Sequence, residues 1–260
     1  MVVVNPFARL TNEHQNPSDK TTQKKKPMNT LDQAWEALQS LDWGSDLAAL
    51  APIDQWIAEA HGDAAASAQL EAKLLGVLSQ ATAAGRDYAC RRLVTVGTAA
   101  SVPALAPMLT SAETSHLARI VLEQLALPEA TAALRTAAAA ATGSVKIGLM
   151  SSLAKLKDAD SVPLLQAATT DADAGTRLAA VWCLGQIGGA DAVAAVSAVT
   201  DADAATKLAV ADALLLCADR FLAEGNNASA RDLYRKYTGE AQPKHVRLAA
   251  NKGVLATVRR

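Results

Sequence analysis

Few side chains in this sequence have the types and spacing that catalysis or metal binding requires. No two histidines lie within helical reach of one another and none precedes a glutamate, the positions being His14, His61, His116 and His245. Neither the Gly-x-Ser-x-Gly of an activated serine nor a Walker-type glycine loop occurs. We therefore predict no catalytic residue, no metal ligand and no cofactor, and we expect a protein that is not an enzyme.

The cysteines also lack a functional spacing. Cys90, Cys183 and Cys217 form no Cys-x-x-Cys pair, and each lies within a predicted helix. An unpaired set of this kind predicts small, buried core side chains.

Charged residues offer another kind of chemistry, the binding of an anionic partner. The net charge is −1, but cations concentrate at Lys24–Lys26 and over Lys244–Arg260, a stretch without any acid. A nucleic-acid binder usually has a sustained basic face, so basic ends alone disfavour nucleic acid as a partner. Phosphate binding through the two ends is kept as a minor alternative, and it predicts an affinity that falls steeply with salt.

A few aromatic and basic residues are better candidates for binding a protein partner. A predicted helix over 229–237 carries two of the three tyrosines together with cations, and Trp182 lies off the apolar stripe of its own predicted helix. Trp182 either packs beneath the neighbouring unit or is exposed as a contact anchor, a role in which tryptophan is enriched. The predicted partner-binding residues are Arg135, Trp182, Arg231, Tyr234, Arg235 and Tyr237.

The elements that position these residues repeat along the chain. The phrase Thr170–Arg177 returns as Thr200–Lys207, about 30 residues later, which is the length of one helical hairpin. Apolar anchors recur at the same place in each unit, at Leu93, Leu125, Leu153, Leu184, Leu214 and Val254. Each unit predicts a helix, a tight turn and a second helix, and stacking of the units buries one continuous core.

The fourth unit shows the pattern best. Apolar residues of helical spacing predict a first helix over 176–187, and Gly188 and Gly189 end it because glycine adopts positive φ without strain. Asp191 is then predicted to cap a second helix over 192–199.

The Asp and Arg residues that open each unit have two interpretations. In the first, Asp173 caps its helix and Arg177 tethers adjacent units, in line with the four-residue spacing that suits a helical ion pair. In the second, a basic ladder grips an anionic ligand, its members being Arg86, Lys146, Arg177, Lys207 and Arg247.

The domain organisation follows from the limits of the repeat. Residues 1–30 are polar and predict a disordered tail, 31–83 a helical N-terminal cap, and 84–260 the repeat array. Whether the natural start is Met1 or Met28 is left open. The start is too short for a signal peptide and no apolar run approaches the ~20 residues of a membrane span, so we expect a cytoplasmic protein without membrane contact.

The pattern from Asp171 and Asp173 through Thr176-Arg177 to Leu184-Gly185 resembles the short bacterial HEAT repeat named after phycobilisome lyases, over about 84–260. The resemblance implies an all-α, right-handed solenoid whose second helices line a concave, partner-binding face. Here that face is rich in alanine, which is either simply a good helix former in solvent or a smooth groove for a partner helix. Paired His-Glu steps, which HEAT-containing di-iron hydroxylases use, are missing.

The function predicted from this resemblance is a non-catalytic protein–protein interaction scaffold that binds along the concave face. The alternative is a lyase, or a lyase subunit, that acts on a chromophore-bearing protein. Partner identity and oligomeric state are not predicted.

Overall fold

The computed structural model describes residues 30–200 and 203–258, and every regular element in those two ranges is helical. The predicted tail before Thr30, together with His14, Met28, Lys24–Lys26 and the terminal Arg259 and Arg260, lies outside them. The α-helices are α1 (Leu31–Gln39), α2 (Ala51–Glu59), α3 (Ala64–Val77), α4 (Ala83–Val96), α5 (Val102–Leu105), α6 (Ser115–Leu125), α7 (Pro128–Ala140), α8 (Gly143–Lys155), α9 (Val162–Ala168), α10 (Ala174–Ile187), α11 (Gly189–Ser197), α12 (Ala204–Ala223), α13 (Asn227–Arg235) and α14 (Lys244–Ala256).

Successive hairpins stack in chain order. The first helices α4, α6, α8, α10, α12 and α14 each contact the next, and the second helices lie beside them. All six anchors predicted from the sequence lie on these first helices. The all-α fold and its sequential hairpin packing are therefore confirmed, and each first helix from α4 to α12 is covered by the hairpin that follows it.

The core is continuous because α8 contributes to both of its halves. Leu149 and Leu153 are fully buried in the cluster that extends back to the N-terminal helices. Met150 and Ala154, one residue further round the helix, are fully buried in the cluster that extends to α14. Pairs four apart share a helix face, so two adjacent faces of α8 join the halves.

The N-terminal helices share this core. Trp35 of α1 meets Trp56 of α2 edge to face, with ring centroids 6.3 Å apart. The carboxylate of Glu71 on α3 is buried and accepts hydrogen bonds from the Thr98 backbone N–H (2.8 Å) and from the Ser101 hydroxyl (2.6 Å). These contacts fasten α1–α3 to the first repeat unit, and the division into cap and array at residues 83 and 84 stays a prediction.

The turn between α10 and α11 differs from the prediction. Gly188 has φ +70° and ends α10, as expected for glycine. The same residue is the N-cap of α11, which begins at Gly189, so Asp191 lies inside the first turn and is not the cap. The sequence-based assignment of Asp191 is wrong because one left-handed glycine serves both helices and leaves no linker between them.

Candidate functional site

The Asp and Arg residues at the unit boundaries are engaged with the fold. Asp173 caps α10 by accepting hydrogen bonds from the Thr176 N–H (2.7 Å) and hydroxyl (2.8 Å). Arg177 donates to the carbonyls of Asp171 (2.8 Å) and Ala172 (3.0 Å) and lies 3.9 Å from the Asp203 carboxylate of the next unit. In this unit the aspartate therefore caps the helix and the arginine tethers adjacent units. The described side chains of Asp173 and Arg177 do not form an ion pair with each other.

The other members of the predicted ladder do not share one environment. Lys146 binds Asp171 of the next unit at 2.9 Å, and this hydrogen bond, as the largest effect, lowers the pKa of Asp171. Arg86 donates to the Ala81 carbonyl at 2.9 Å. Within the described part of the chain, neither Lys207 nor Arg247 forms an ion pair. Three of the five cations therefore bind other groups of the protein itself. The described residues do not form a basic ladder of five exposed cations.

Arg135 likewise serves the packing of helices. Its guanidinium lies 2.6 Å from Asp158 and 3.3 Å from Asp160, in the turn that precedes α9. With the side chain 29% exposed, these contacts hold α7 against the following hairpin.

The fold places the tyrosines and arginines predicted near the C-terminus in different environments. The helix occupies Asn227–Arg235 instead of 229–237, so Tyr237 follows its end and is half-buried beside Leu208 and Pro243. Arg235 is exposed. Arg231 donates from Nε to the Thr257 hydroxyl (3.0 Å) and from Nη2 to the Thr257 carbonyl (3.1 Å), which ties α13 to the end of α14.

Tyr234 is not a surface residue, and the prediction that placed it there is wrong. It is 1% exposed, its ring lies against Gly253, and its hydroxyl donates to Asp219. Burial, chiefly, raises the pKa of the Tyr234 hydroxyl. The physical reason is that Ala230, Leu233 and Tyr234 form the buried face of α13.

Trp182 is exposed and is not packed beneath the neighbouring unit, which decides between its two predicted positions. Its side chain is 52% exposed and borders a groove of about 500 Å³ between α10, α12 and α14. We call this surface the Trp182 groove, and its outer lining consists of Trp182, Ala209, Asp212, Leu216, Asp219 and Ala249.

The Trp182 groove combines apolar and acidic groups. Leu216 is 37% exposed, and Asp212 and Asp219 are exposed on the same face of α12, four residues before it and three after it. These three residues were not predicted from the sequence, although their helical spacing opposite the buried Ala211, Leu214 and Ala218 indicates an exposed face. The groove can bind an apolar side chain flanked by cations.

A second groove lies between the second helices α9 and α11. It consists of two adjoining concavities of about 540 and 580 Å³, both lined by Pro163, Gln166 and Ala195. Its lining is rich in alanine but also includes the polar side chains of Gln166, Asp160 and Asp191. No aromatic side chain occurs among the lining residues.

The cysteines have no reactive environment. Cys90, Cys183 and Cys217 are buried and unpaired, as predicted. Burial raises the pKa of the Cys90 and Cys183 thiols to about 12 and that of Cys217 to about 11, so all three are protonated at neutral pH.

The described residues include neither a metal-binding cluster nor a membrane-spanning helix. No group of three or more His, Cys, Asp or Glu side chains in them is arranged to hold a metal ion. None of the helices they form combines the length and apolar character needed to cross a bilayer.

Comparison with known proteins supports the repeat assignment. A family model described as HEAT repeats matches residues 131–215, which extend from α7 into α12. The solved structure of human deoxyhypusine hydroxylase in complex with glycerol is 14% identical and has a TM-score of 0.37, with 88% of this chain and 96% of that chain covered. No curated protein matches the chain. The HEAT resemblance is thus confirmed for the matched residues, while the phycobilisome-lyase form and the cytoplasmic location stay predictions.

Proposed function

We propose that this protein is a non-catalytic scaffold that binds a protein partner through the Trp182 groove. The observation that carries the proposal is the 52% exposure of Trp182 on an otherwise well-packed first helix. Tryptophan in a position where a partner can desolvate it is the residue type that most often dominates a protein interface. HEAT repeats commonly bind proteins, and the groove lies partly on helices within the matched residues.

The lining of the Trp182 groove defines the partner's chemistry. Trp182 and Leu216 favour an aliphatic or aromatic anchor, because burying that apolar area is the main source of interface energy. Asp212 and Asp219 favour a lysine or arginine beside the anchor, which would set the partner's orientation and speed its association. The expected ligand is therefore an amphipathic segment with a basic flank.

The α9–α11 groove is the surface that the sequence predicts, and it is the second place to test. Its alanines allow close approach of a partner backbone, but it offers no large anchor in its lining. Energy at interfaces concentrates in a few large residues, so the Trp182 groove is favoured.

The proposal is tested by capturing partners on the immobilised full chain and measuring the affinity of each purified partner. Trp182→Ala with Leu216→Ala removes the anchors, whereas Ala167→Arg blocks the α9–α11 groove. Ile120→Ala is the control, since Ile120 is a 41% exposed apolar residue on α6, away from both grooves. We expect the double variant to weaken binding by about 100-fold, and the other two to change it little.

Two results would count against the proposal. If the double variant bound every partner with wild-type affinity, binding through the Trp182 groove would be excluded. Loss of binding in Ala167→Arg alone would assign the interface to the α9–α11 groove.

A further inference from the structure

The last described helix presents an uncovered apolar face. On α14, Leu248 is 58% exposed, Leu255 is 61% exposed and Val258, just beyond the helix end, is 69% exposed. The opposite face of the helix, with Val246 and Ala250, is buried in the array. Earlier first helices have such a face covered by the next hairpin, but no described helix follows α14.

This face is also cationic. The described residues from 244 onward include Lys244, Arg247 and Lys252 and no acid. Arg247 occupies the position at which Lys146 and Arg177 reach an aspartate at the start of the next unit, at 2.9 and 3.9 Å. Arg247 has no such partner among the residues described. We call this the tail-end surface, made of Lys244, Arg247, Leu248, Lys252, Leu255 and Val258.

The described residues at the opposite end of the array have the complementary charge. The first lysine or arginine after Thr30 is Lys73, whereas the stretch between them contains many acids, among them Asp32, Glu36 and Asp42. Trp43 is 68% exposed and Leu47 is 55% exposed in the segment between α1 and α2. We call this the head-end surface, made of Asp32, Glu36, Asp42, Trp43 and Leu47.

We propose that two copies of this chain associate head to tail, with the tail-end surface of one copy on the head-end surface of the next. Each surface includes large exposed apolar side chains, and their burial would drive association. Charge decides the orientation, because tail-to-tail contact would oppose cations to cations and head-to-head contact acids to acids. A contact between two different surfaces leaves one free head end and one free tail end on every pair. Further copies can therefore add, which gives rings where the rotation between copies closes and open chains where it does not.

The test uses sedimentation velocity of the full chain over a range of protein concentrations. Wild-type protein is expected to grow in mass with concentration, and to do so less at high salt because screening weakens the charge contribution. Leu248→Gln with Leu255→Gln disables the tail end, and Trp43→Gln with Leu47→Gln disables the head end. Each double variant is expected to weaken association by about 100-fold or more.

A mixture of the two double variants distinguishes this arrangement from every other. One variant keeps a working head and the other a working tail, so an equimolar mixture should form a 1:1 dimer and nothing larger. Ile120→Gln, at an exposed site on α6 distant in sequence from both ends, should associate like wild type and serves as the matched control.

Several results would overturn the proposal. A wild-type protein that stays monomeric at every concentration excludes it. Self-association that the head-end variant leaves intact points to a symmetric contact instead, and a mixture that fails to form the dimer does the same. Because the Trp182 groove residues are unchanged in these variants, the outcome is independent of the proposed partner binding.

Discussion

At Tyr234, one side chain joins three helices. It projects from α13, its hydroxyl donates to Asp219 on α12, and its ring lies against Gly253 on α14. The close approach is possible because position 253 has no side chain. The contact between this tyrosine and Gly253 thus holds together the unit between the anchors Leu214 and Val254. Arg231, three residues earlier, binds Thr257 at the end of α14.

The Tyr234–Gly253 contact gives a residue-scale prediction. In Gly253→Ala the new Cβ would overlap the Tyr234 ring, so the ring or α14 must shift. We expect a loss of about 1–3 kcal/mol in the free energy of unfolding, the usual cost of overpacking. Urea denaturation followed by circular dichroism measures it.

The matched control is Gly76→Ala, because Gly76 is also helical and a Cβ there meets nothing within 4 Å. Alanine is the better helix former, so this variant should gain up to about 1 kcal/mol. Equal unfolding midpoints for the two variants would show that the Tyr234 ring yields freely.

At the scale of the element, aspartates define where two of the first helices, α10 and α12, begin. Asp173 caps α10, and Asp203 caps α12 by accepting a hydrogen bond from the Thr206 N–H at 2.7 Å. Hydrogen bonds from Thr176 and Thr206 lower the pKa of the Asp173 and Asp203 carboxyls respectively. The last aspartate of the repeated Thr-Asp-Ala-Asp phrase is therefore a helix cap in both copies.

The caps predict a dependence of stability on pH. A carboxyl whose folded pKa is depressed stabilises the fold above its unfolded value of about 3.9, and that contribution is lost as pH falls through the folded pKa. The unfolding free energy should therefore drop on acidification below about pH 4.

Asp173→Asn with Asp203→Asn tests this, because asparagine caps a helix equally well but does not titrate. We expect wild-type stability at pH 7 and a smaller decrease on going to pH 3, measured by urea denaturation at both values. An unchanged acid dependence would show that other carboxylates cause it.

At the scale of the whole molecule, the hairpins depend on each other. Leu184 is fully buried on α10, which contacts both α8 and α12. The close approach of α10 to α12 at Gly185, where a Cβ would lie 2.8 Å from Ala213, shows how tightly the units interlock. Stability in such an array is a sum over units and their interfaces.

Leu184→Ala is accordingly expected to cost about 2–5 kcal/mol, the range for removing a buried leucine. Hydrogen exchange should accelerate in α8 and α12 as well as in α10, because the interfaces on both sides of α10 are weakened. Ile120→Ala, at a 41% exposed site, is the control and should leave exchange nearly unchanged. Faster exchange confined to α10 would contradict coupling between the units.

The sequence by itself determined the features that depend on neighbours along the chain. Helical periodicity located the anchors such as Leu184, glycine marked the end of α10, and Asp173 was identified as a cap, because caps and helix faces are set within about four residues. Repetition then indicated stacked hairpins.

Only the tertiary structure decided which faces are covered. Tyr234 and Trp182 are both aromatic residues at helical positions, yet one is 1% exposed and the other 52%. Likewise, Arg135 and Arg231 were expected at a binding surface but bind Asp158 and Thr257 of neighbouring elements. Periodicity shows that a helix has an apolar side, but the helix that covers it comes from a distant part of the chain, and its position depends on the packing of the whole array.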